Sequence, residues 1–283
     1  MSLILLDTDI GNDIDDVVAL AYLLHKKECE LVGITTVTGE AQKRAALCEI
    51  VCRASGREDI PIHCGLENAL ANGPGQPTPH HYEAVKNLPH RLDRPENTAV
   101  SFLRQTIREN PHEITLLSIG PLTNIAGLFA TDPEIPFLLK NFVSMAGAFF
   151  PPIDYAEWNI KCDPVAASYV YGARRAHHRS IGLNVTMKCQ MPAEEVRERF
   201  TGEPLATVAL MAEHWFQHSK ELTFHDPLAA ATIFKPELCT YRSGQVTSNP
   251  QTAITSFAIG EGADEVAVLV DQGEFFKEFF SVF

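Results

Sequence analysis

The N-terminal segment of the chain places five aspartates between two apolar runs. LILL precedes them, VVALAYLL follows them, and between lie Asp7, Asp9, Asp13, Asp15 and Asp16. The first run has the length of a buried strand and the second continues as a helical pattern. Carboxylates packed this close to a core repel one another and are costly to bury unless something neutralises them. The pattern therefore predicts a strand, a helix and, between them, a cation site.

The chemistry of the aspartates narrows the choice of cation. Carboxylate oxygens without a neighbouring cysteine or histidine suit a hard ion, so the residues alone allow either Ca²⁺ or Mg²⁺. The spacing is not that of an EF-hand loop. An alternative is that negative charge simply favours the start of a helix, which suits Asp13, Asp15 and Asp16. That effect accounts for one or two aspartates but not for five.

Short apolar runs alternate with helical patterns along the rest of the chain. Strands are predicted at Leu3–Asp9, Glu30–Val37, Pro61–Cys64, Ile114–Ile119, Phe142–Ala146 and Ser180–Val185. Helices are predicted over about Asp15–Lys27, Glu40–Ser55, Asn97–Glu109, Leu122–Ala130, Pro164–Ala173, Glu194–Phe200 and Leu205–Lys220. This alternation predicts an α/β fold with a mostly parallel, Rossmann-like open sheet and helices on both faces. No repeat or linker interrupts it, so residues 1–283 are predicted to form a single domain.

Such sheets bind ligands beyond the carboxyl ends of their strands, so the loops after strands are where chemistry is expected. The least regular stretch is Ala71–His90, whose glycines and prolines argue against a regular element. A long loop of this kind is often a lid or a binding loop. The alternative is a plain excursion over the surface.

Net charge and composition exclude several classes of partner. The formal net charge is −13 and no run is rich in lysine or arginine, which argues against a nucleic-acid partner. No apolar run approaches the ~20 residues of a membrane span, and the N-terminus has no basic segment typical of a signal peptide. We therefore expect no membrane association and a cytoplasmic location. The seven cysteines are expected to be reduced buried thiols, with zinc binding at Cys48 and Cys52 as the alternative.

Several motifs, taken in order, resemble those of the inosine-uridine-preferring nucleoside hydrolase family. The opening DTDIGNDIDD is similar to the family's commoner Asp-x-Asp-Pro-Gly-x-Asp-Asp signature with two extra residues. GITTVTG at 33–39, LSIGPLTNIA at 117–126, AEWN at 156–159 and FHDPLA at 224–229 follow in the family's order. The ending EVAVLVDQGEFFKEFF also resembles the family's last strand and helix, so the resemblance spans nearly the whole chain.

The resemblance implies a Ca²⁺ site and a hydrolytic reaction. Asp9, Asp16 and Asp226 would ligate the ion, together with the backbone carbonyl of Ile119, while Asp7 would orient the loop. Asp9 would also be the general base that takes a proton from the calcium-bound water. The reaction would cut the N-glycosidic bond of a ribonucleoside through an oxocarbenium-like transition state.

Further residues are assigned to the substrate by the same resemblance. The ribose hydroxyls would bind Asp15, Glu157, Asn159 and Asp226, and Met145 would line the pocket. The alternative interpretation is that Glu157 and Asn159 have only a structural role, in a turn that leads into a helix. His225 is the candidate acid for the departing base, because imidazole titrates near neutral pH. His81, with its neighbours His80 and Tyr82, would supply a second acid or stack on the base.

Two departures from the family pattern bear on substrate choice. Glu40 stands where many relatives have asparagine, and it would lie close to the metal and the ribose. The histidine pattern of the best-known members is not reproduced near 66–90. These departures leave base preference open and motivate an alternative, a non-catalytic nucleoside- or ribose-binding protein. A second alternative is a haloacid-dehalogenase-like phosphatase, suggested by LILLDTD alone. The resemblance also implies nucleoside metabolism or salvage and a homodimer or homotetramer.

Overall fold

The computed structural model describes residues 1–283. Its strands are β1 (Ser2–Thr8), β2 (Cys29–Thr36), β3 (Ile62–Cys64), β4 (Ile114–Ser118), β5 (Asn141–Ser144), β6 (His178–Ser180), β7 (Gln190–Pro192), β8 (Glu221–Thr223), β9 (Cys239–Ser248), β10 (Thr255–Ile259) and β11 (Asp264–Val270). Its helices are α1 (Asp15–His25), α2 (Ala41–Ala54), α3 (Tyr82–Val85), α4 (Ala99–Glu109), α5 (Thr123–Thr131), α6 (Ile135–Leu138), α7 (Trp158–Cys162), α8 (Pro164–Gly172), α9 (Leu183–Thr186), α10 (Ala193–Arg199), α11 (Leu205–Trp215), α12 (His225–Phe234) and α13 (Gln272–Phe280).

Nine strands form one sheet in the order β10-β9-β11-β6-β5-β4-β1-β2-β3. The seven strands from β11 to β3 in that order are parallel, while β9 pairs antiparallel with β11 and with β10. A separate antiparallel pair joins β7 to β8. The predicted mostly parallel α/β sheet is therefore confirmed, with an antiparallel edge that the sequence patterns had not indicated.

The central strand β1 is buried on both of its faces. Ile4 and Leu6 pack into the core on one face, and Leu5 packs into the core on the other. The first core contains Leu20 of α1, and the second contains Leu103 of α4. Burying each such side chain stabilises the fold by about 1.5–3 kcal/mol. Helices on both faces thus hold the carboxyl end of β1, where the aspartates begin, in a fixed place.

The predicted strand Ser180–Val185 is wrong over most of its length. The strand β6 ends at Ser180, and the next residues turn into the short helix α9. A Cβ on Gly182 would lie 2.7 Å from the carbonyl oxygen of Gly147, so the chain turns where only glycine fits. The apolar run IGLNV was too short for its periodicity to separate strand from helix.

The irregular segment 71–90 contains only the short helix α3. Its backbone is tied to the body of the protein, since Gly75 N–H donates to the carbonyl of Cys162 over 3.1 Å. His81 N–H likewise donates to the carbonyl of Gly11 over 2.9 Å. The segment forms one wall of the cavity described below, and its opening as a lid stays a prediction. None of the helices combines the length and apolar composition that crossing a bilayer requires.

Candidate active site

A cavity of 690 Å³ opens at the carboxyl edge of the parallel strands. Asp9 reaches it from the loop after β1, Ile119 from the turn after β4 and Met145 from the turn after β5. The turn after β4 can approach only because residue 120 is glycine. A Cβ there would lie 2.8 Å from the backbone nitrogen of Asp9. These three loops therefore line a cavity at the edge of the sheet where the sequence predicts the chemistry to lie.

Three carboxylates converge in this cavity. One oxygen from each of Asp15, Asp16 and Asp226 lies within 4.8 Å of the others, and all three residues are buried. Burial, together with repulsion among the aspartates, raises the pKa of each carboxyl well above its ordinary value. None of the three is paired with a lysine or arginine. The donor set is made of oxygens alone, so these residues fit a hard divalent cation.

The helix starts explain how the three carboxylates meet. Asp15 and Asp16 are in the first turn of α1, and Asp226 is in the first turn of α12. The dipole of each helix favours negative charge at that end. Thr8 at the end of β1 donates a hydrogen bond to Asp16 Oδ1 and so orients it.

Asp9 lines the same cavity but lies outside this group of three. The predicted ligand set was Asp9, Asp16, Asp226 and the carbonyl of Ile119, whereas the structure brings Asp15 to Asp16 and Asp226. Burial raises the pKa of Asp9 to about 6, although the positive charge of Arg44 opposes that rise. A buried carboxyl with a pKa near neutrality, facing a cavity, has the properties of a general base.

The carbonyl of Ile119 is directed towards the side chain of Asn159. Asn159 Nδ2 donates to that carbonyl over 2.9 Å and to the carbonyl of Met145 over 3.1 Å. Ile119, Met145 and Asn159 all line the cavity, as predicted. The amide therefore joins the turns after β4 and β5 on the floor of the site.

Glu157 both lines the cavity and caps the helix α7. Its Oε1 accepts from the backbone N–H of Asn159 over 2.7 Å, and its Oε2 accepts from the N–H groups of Ile160 and Gly147. Burial raises the pKa of this carboxyl to about 7, despite those hydrogen bonds. The helix-entry reading of Glu157 is thus geometrically correct, and it coexists with a position on the cavity wall.

His225 begins α12 and lines the cavity next to Asp226. Its Nδ1 lies 2.7 Å from the hydroxyl of Thr186. Burial lowers the pKa of His225 to about 4, so the imidazole is neutral at physiological pH. A neutral ring still carries one N–H, and if Nδ1 accepts from Thr186, that proton is on Nε2.

Asp7 lies beneath the site and does not line the cavity. It accepts hydrogen bonds from Thr35 over 2.5 Å and from Asn124 over 2.7 Å, and its other oxygen has no partner. Burial raises the pKa of Asp7 to about 7. Its bonds tie the end of β1 to β2 and α5, and the orienting role expected for it stays a prediction.

Two predicted substrate residues lie outside the cavity. Glu40 has a left-handed backbone at the start of α2, and its carboxylate pairs with Lys43 on the surface. This carboxylate does not line the cavity, so the effect of its charge on the ribose stays a prediction. His81 is fully buried with both ring nitrogens unpartnered, and it packs edge-on against His214 at 6.0 Å.

A second cavity adjoins the first and shares Asp13, Gln76 and Trp158 with it. His80, from the predicted trio, lines it together with His214, Trp215 and His218. Tyr82 points elsewhere, with its hydroxyl 2.9 Å from His90 Nε2. Of the three residues expected near the base, only His80 therefore faces a cavity.

Sequence reasoning missed several residues that shape the site. Gln76 and Trp158 line both cavities, and the fully buried Arg44 supports the loop that carries Asp9. Trp158 had a usable signal, because it lies inside the AEWN motif. Gln76 had none, because it comes from an irregular segment. The seven cysteines are all buried free thiols, and none belongs to the carboxylate group.

Comparisons with known proteins agree with this architecture. A family model described as "Inosine-uridine preferring nucleoside hydrolase" matches residues 4–277. The chain is 32% identical over 256 residues to a "Pyrimidine-specific ribonucleoside hydrolase RihA" of Escherichia coli (strain SMS-3-5 / SECEC), covering 84% of this chain and 81% of that protein. It is 29% identical over 267 residues to a "Probable uridine nucleosidase 2" of Oryza sativa subsp. japonica, covering 88% and 78%.

Solved structures show the same fold. The chain superposes on a "Plant nucleoside hydrolase" with a TM-score of 0.85 and 23% identity, covering 99% of this chain and 98% of that one. It superposes on a "Purine-Preferring Ribonucleoside Hydrolase from Gardnerella vaginalis" with a TM-score of 0.82 and 24% identity, with the same coverage.

Proposed function

Because this chain belongs to the inosine-uridine preferring nucleoside hydrolase family and is an N-glycosyl hydrolase, we propose that it hydrolyses ribonucleosides in a calcium-dependent reaction with Asp9 as general base. The observation that carries the proposal is the buried group of Asp15, Asp16 and Asp226, in the cavity that Asp9 also lines. The phosphatase alternative is excluded by the family. The binding-protein alternative loses one of its two motives, since Glu40 does not line the cavity, and the altered region near 66–90 is the other.

Asp15, Asp16 and Asp226 would hold the ion, and the carbonyl of Ile119, which lines the same cavity, would be a further ligand. A bound Ca²⁺ would polarise water and the ribose hydroxyls, and it would offset most of the negative charge of the three carboxylates. Calcium rather than magnesium is proposed on the family resemblance, because carboxylate chemistry alone allows either. The remaining steps belong to side chains of this protein.

The reaction adds water across the bond between C1′ of the ribose and a nitrogen of the base. A water oxygen forms the new bond to C1′, and the electron pair of the broken bond leaves on the base. Asp9 accepts the proton of the attacking water. Its pKa, raised by burial to about 6, brings it near the range that suits a general base. The negative cavity favours the positive charge that develops on the ribosyl ring.

The departing base needs a proton or a hydrogen bond on its leaving nitrogen. We assign this role to His225 in the tautomer whose Nδ1 accepts from the hydroxyl of Thr186, 2.7 Å away, because that tautomer carries its proton on Nε2. With a pKa near 4 the ring acts as a neutral hydrogen-bond donor until charge builds up on the base. Glu157 and Asn159 bind the ribose hydroxyls from the floor of the cavity, and Met145 packs against the sugar.

The aglycone would lie towards Trp158 and the second cavity, whose lining includes the rings of His80, Trp158, His214, Trp215 and His218. Such rings accept a planar base by stacking. The relatives at 29–32% identity are named for uridine or pyrimidine substrates, so uridine and cytidine are the first substrates to test. The homodimer or homotetramer implied by the resemblance stays a prediction, which light scattering would check.

Release of free ribose tests the proposal. Purine and pyrimidine ribonucleosides would be incubated with the protein in phosphate-free buffer, with added Ca²⁺ and with a chelator. We expect ribose from at least one nucleoside, abolished by the chelator and restored by excess Ca²⁺. Absence of ribose from every nucleoside, with folded and calcium-loaded protein, would refute the proposal. Ribose release that is unaffected by the chelator would refute its calcium dependence only.

A further inference from the structure

Gln76 joins two residues of the cavity through its side-chain amide. Its Nε2 donates to Asp9 Oδ2 over 3.2 Å, and its Oε1 accepts from the indole N–H of Trp158. Only this orientation of the amide satisfies both partners, because an indole only donates and a carboxylate only accepts. Gln76 is buried, so neither contact is exchanged freely for water.

The backbone of Gln76 is held as firmly as its side chain. Its N–H donates to Thr38 Oγ1 over 2.7 Å, and its carbonyl accepts from the guanidinium of Arg44. Arg44 is fully buried, although an arginine is almost never found so unless it is paired. Its partners here are backbone carbonyls rather than a carboxylate.

The guanidinium of Arg44 holds the loop of Asp9 as well. It donates to the carbonyl of Asp9 and, over 3.0 Å, to that of Ile10. A single planar group thus fixes the backbones of Asp9 and Gln76 relative to each other. The side-chain hydrogen bond from Gln76 to Asp9 therefore joins two loops whose separation Arg44 has already fixed.

We infer that Gln76, held by Arg44 and Trp158, is a positioning residue for Asp9. The inference rests on the proposed role of Asp9 as general base. A carboxylate with one oxygen engaged by Gln76 presents the other oxygen, Oδ1, to the water. Without that bond the carboxylate rotates about its terminal torsion, which has a broad energy profile, and the productive orientation becomes one of several.

The variant Gln76→Met tests this directly, because methionine keeps the length of the side chain and removes both polar contacts. The backbone carbonyl that Arg44 binds remains. Loss of a hydrogen bond to a charged group predicts a fall in kcat of roughly ten- to a hundred-fold. We expect KM and the Kd for Ca²⁺ alone to stay within about three-fold of the wild-type values, because Gln76 acts on orientation and not on binding.

The matched control is Gln105→Met. Gln105 also donates its amide to a carboxylate, that of Glu109 over 2.8 Å, but on the exposed surface of α4. This control should keep the wild-type kcat. An unchanged kcat in Gln76→Met, or a loss that appears equally in KM and Ca²⁺ affinity, would overturn the inference. Wild-type protein without ribose release would instead refute the proposed function itself.

A second variant, Trp158→Phe, decides the case even if Gln76→Met folds poorly. It keeps a six-membered aromatic ring and removes the five-membered ring with the indole N–H that holds Gln76. Trp158→Phe alone should lower kcat below the wild-type value. Where Gln76→Met folds, the fall should be smaller than in Gln76→Met, and combining the two changes should give no further fall in kcat. A kcat equal to the wild type in Trp158→Phe, or additive losses in the double variant, would overturn the link from Trp158 through Gln76 to Asp9.

Discussion

The backbone N–H of Asp226 donates a hydrogen bond of 3.1 Å to Asp15 Oδ2, although 211 residues separate them in the chain. This bond fastens the start of α12 to the start of α1, so that two helix N-termini with their favourable dipoles meet. It also forces the carboxylate of Asp226 into the neighbourhood of Asp15 and Asp16. Without a cation the protein holds like charges together at a cost in stability, and that cost makes cation binding measurable.

Calcium is expected to stabilise the protein against heat. At 100 times its Kd, a ligand that binds only the folded state adds about 2.7 kcal/mol to the free energy of unfolding. The melting temperature should therefore rise with Ca²⁺ and fall with a chelator. The variant Asp226→Asn should lose this response and melt higher than the wild type in chelator, because one repelling charge is gone. Asp93→Asn, at an exposed position, is the control; an identical response in both variants would contradict the assignment.

Replacement of Asp9 by asparagine should abolish most of the turnover while leaving the shape of the loop intact. A positioned general base contributes about 10²–10⁴-fold to rate, so Asp9→Asn should lower kcat by that order. Calcium binding, followed by titration with the metal alone, should change much less than in Asp226→Asn. The reverse ranking of the two variants in calcium affinity would show that Asp9 is the ligand and that Asp226 is not.

His225→Ala should harm substrates with poor leaving groups more than activated ones. The nitrophenolate group of a nitrophenyl riboside departs without help, whereas the uracil of uridine needs a hydrogen-bond donor at its leaving nitrogen. We expect a loss in kcat/KM for uridine that exceeds the loss for the nitrophenyl riboside by about ten-fold or more. Thr186→Val, which removes the partner of His225 Nδ1, should move activity in the same direction by less. Equal losses on both substrates would argue against the role of His225.

The sequence could predict the central strands because their apolar runs are buried on both faces. The predicted strands Leu3–Asp9 and Ile114–Ile119 match β1 and β4 to within one residue at every end. The antiparallel edge was missed because β9, read as CTYRSGQVTS, is largely polar and half exposed. Its place is decided by pairing with β11, a long-range contact that leaves no periodic apolar signal.

The acidic group could be predicted because charges beside apolar runs conflict with burial unless they have a function. Arg44 and Gln76 could not, because their importance lies in hydrogen bonds to residues that are far away in the chain, at separations from 32 residues for Arg44 and Gln76 to 82 for Gln76 and Trp158. Such bonds depend on how loops meet in three dimensions and impose no spacing on the sequence. The prediction that both His80 and His81 face the substrate could not be refined from the sequence for a related reason. Adjacent residues point in different directions, and only His80 faces a cavity.

A second buried polar cluster, whose residues do not line the cavity, links four strands. His178 on β6 has Nε2 2.9 Å from Ser144 Oγ on β5 and Nδ1 2.9 Å from Asp264 Oδ1 on β11. Asp264 also binds Arg175 and accepts from the N–H of Val246 on β9 over 2.7 Å. Burial alone would raise the pKa of Asp264, but the hydrogen bond from His178 and the charge of Arg175 bring it down to about 2.

This cluster predicts how stability falls in acid. Because the pKa of Asp264 is lower in the folded state, its contribution is complete above about pH 4 and is lost as pH falls towards 2. Burial also lowers the pKa of His178, so the folded state resists its protonation and stability starts to decline below about pH 6.5. Asp264→Asn should cost about 3–5 kcal/mol at pH 7, since it leaves Arg175 without its charged partner, and should flatten the loss between pH 4 and 2.

Urea unfolding between pH 2.5 and 7 measures both effects. The control is Asp59→Asn, which breaks the surface pair with Arg57 and should cost less than about 1 kcal/mol. The pKa of Asp59 is also lowered, by its hydrogen bond from Arg57, but water screens this exposed pair and limits its share of the pH dependence. Two results would place the acid sensitivity elsewhere: a pH dependence of the free energy of unfolding in Asp264→Asn that runs parallel to that of the wild type, or equal losses of stability in the two variants at pH 7. The buried carboxylates of the cavity would then be the next candidates.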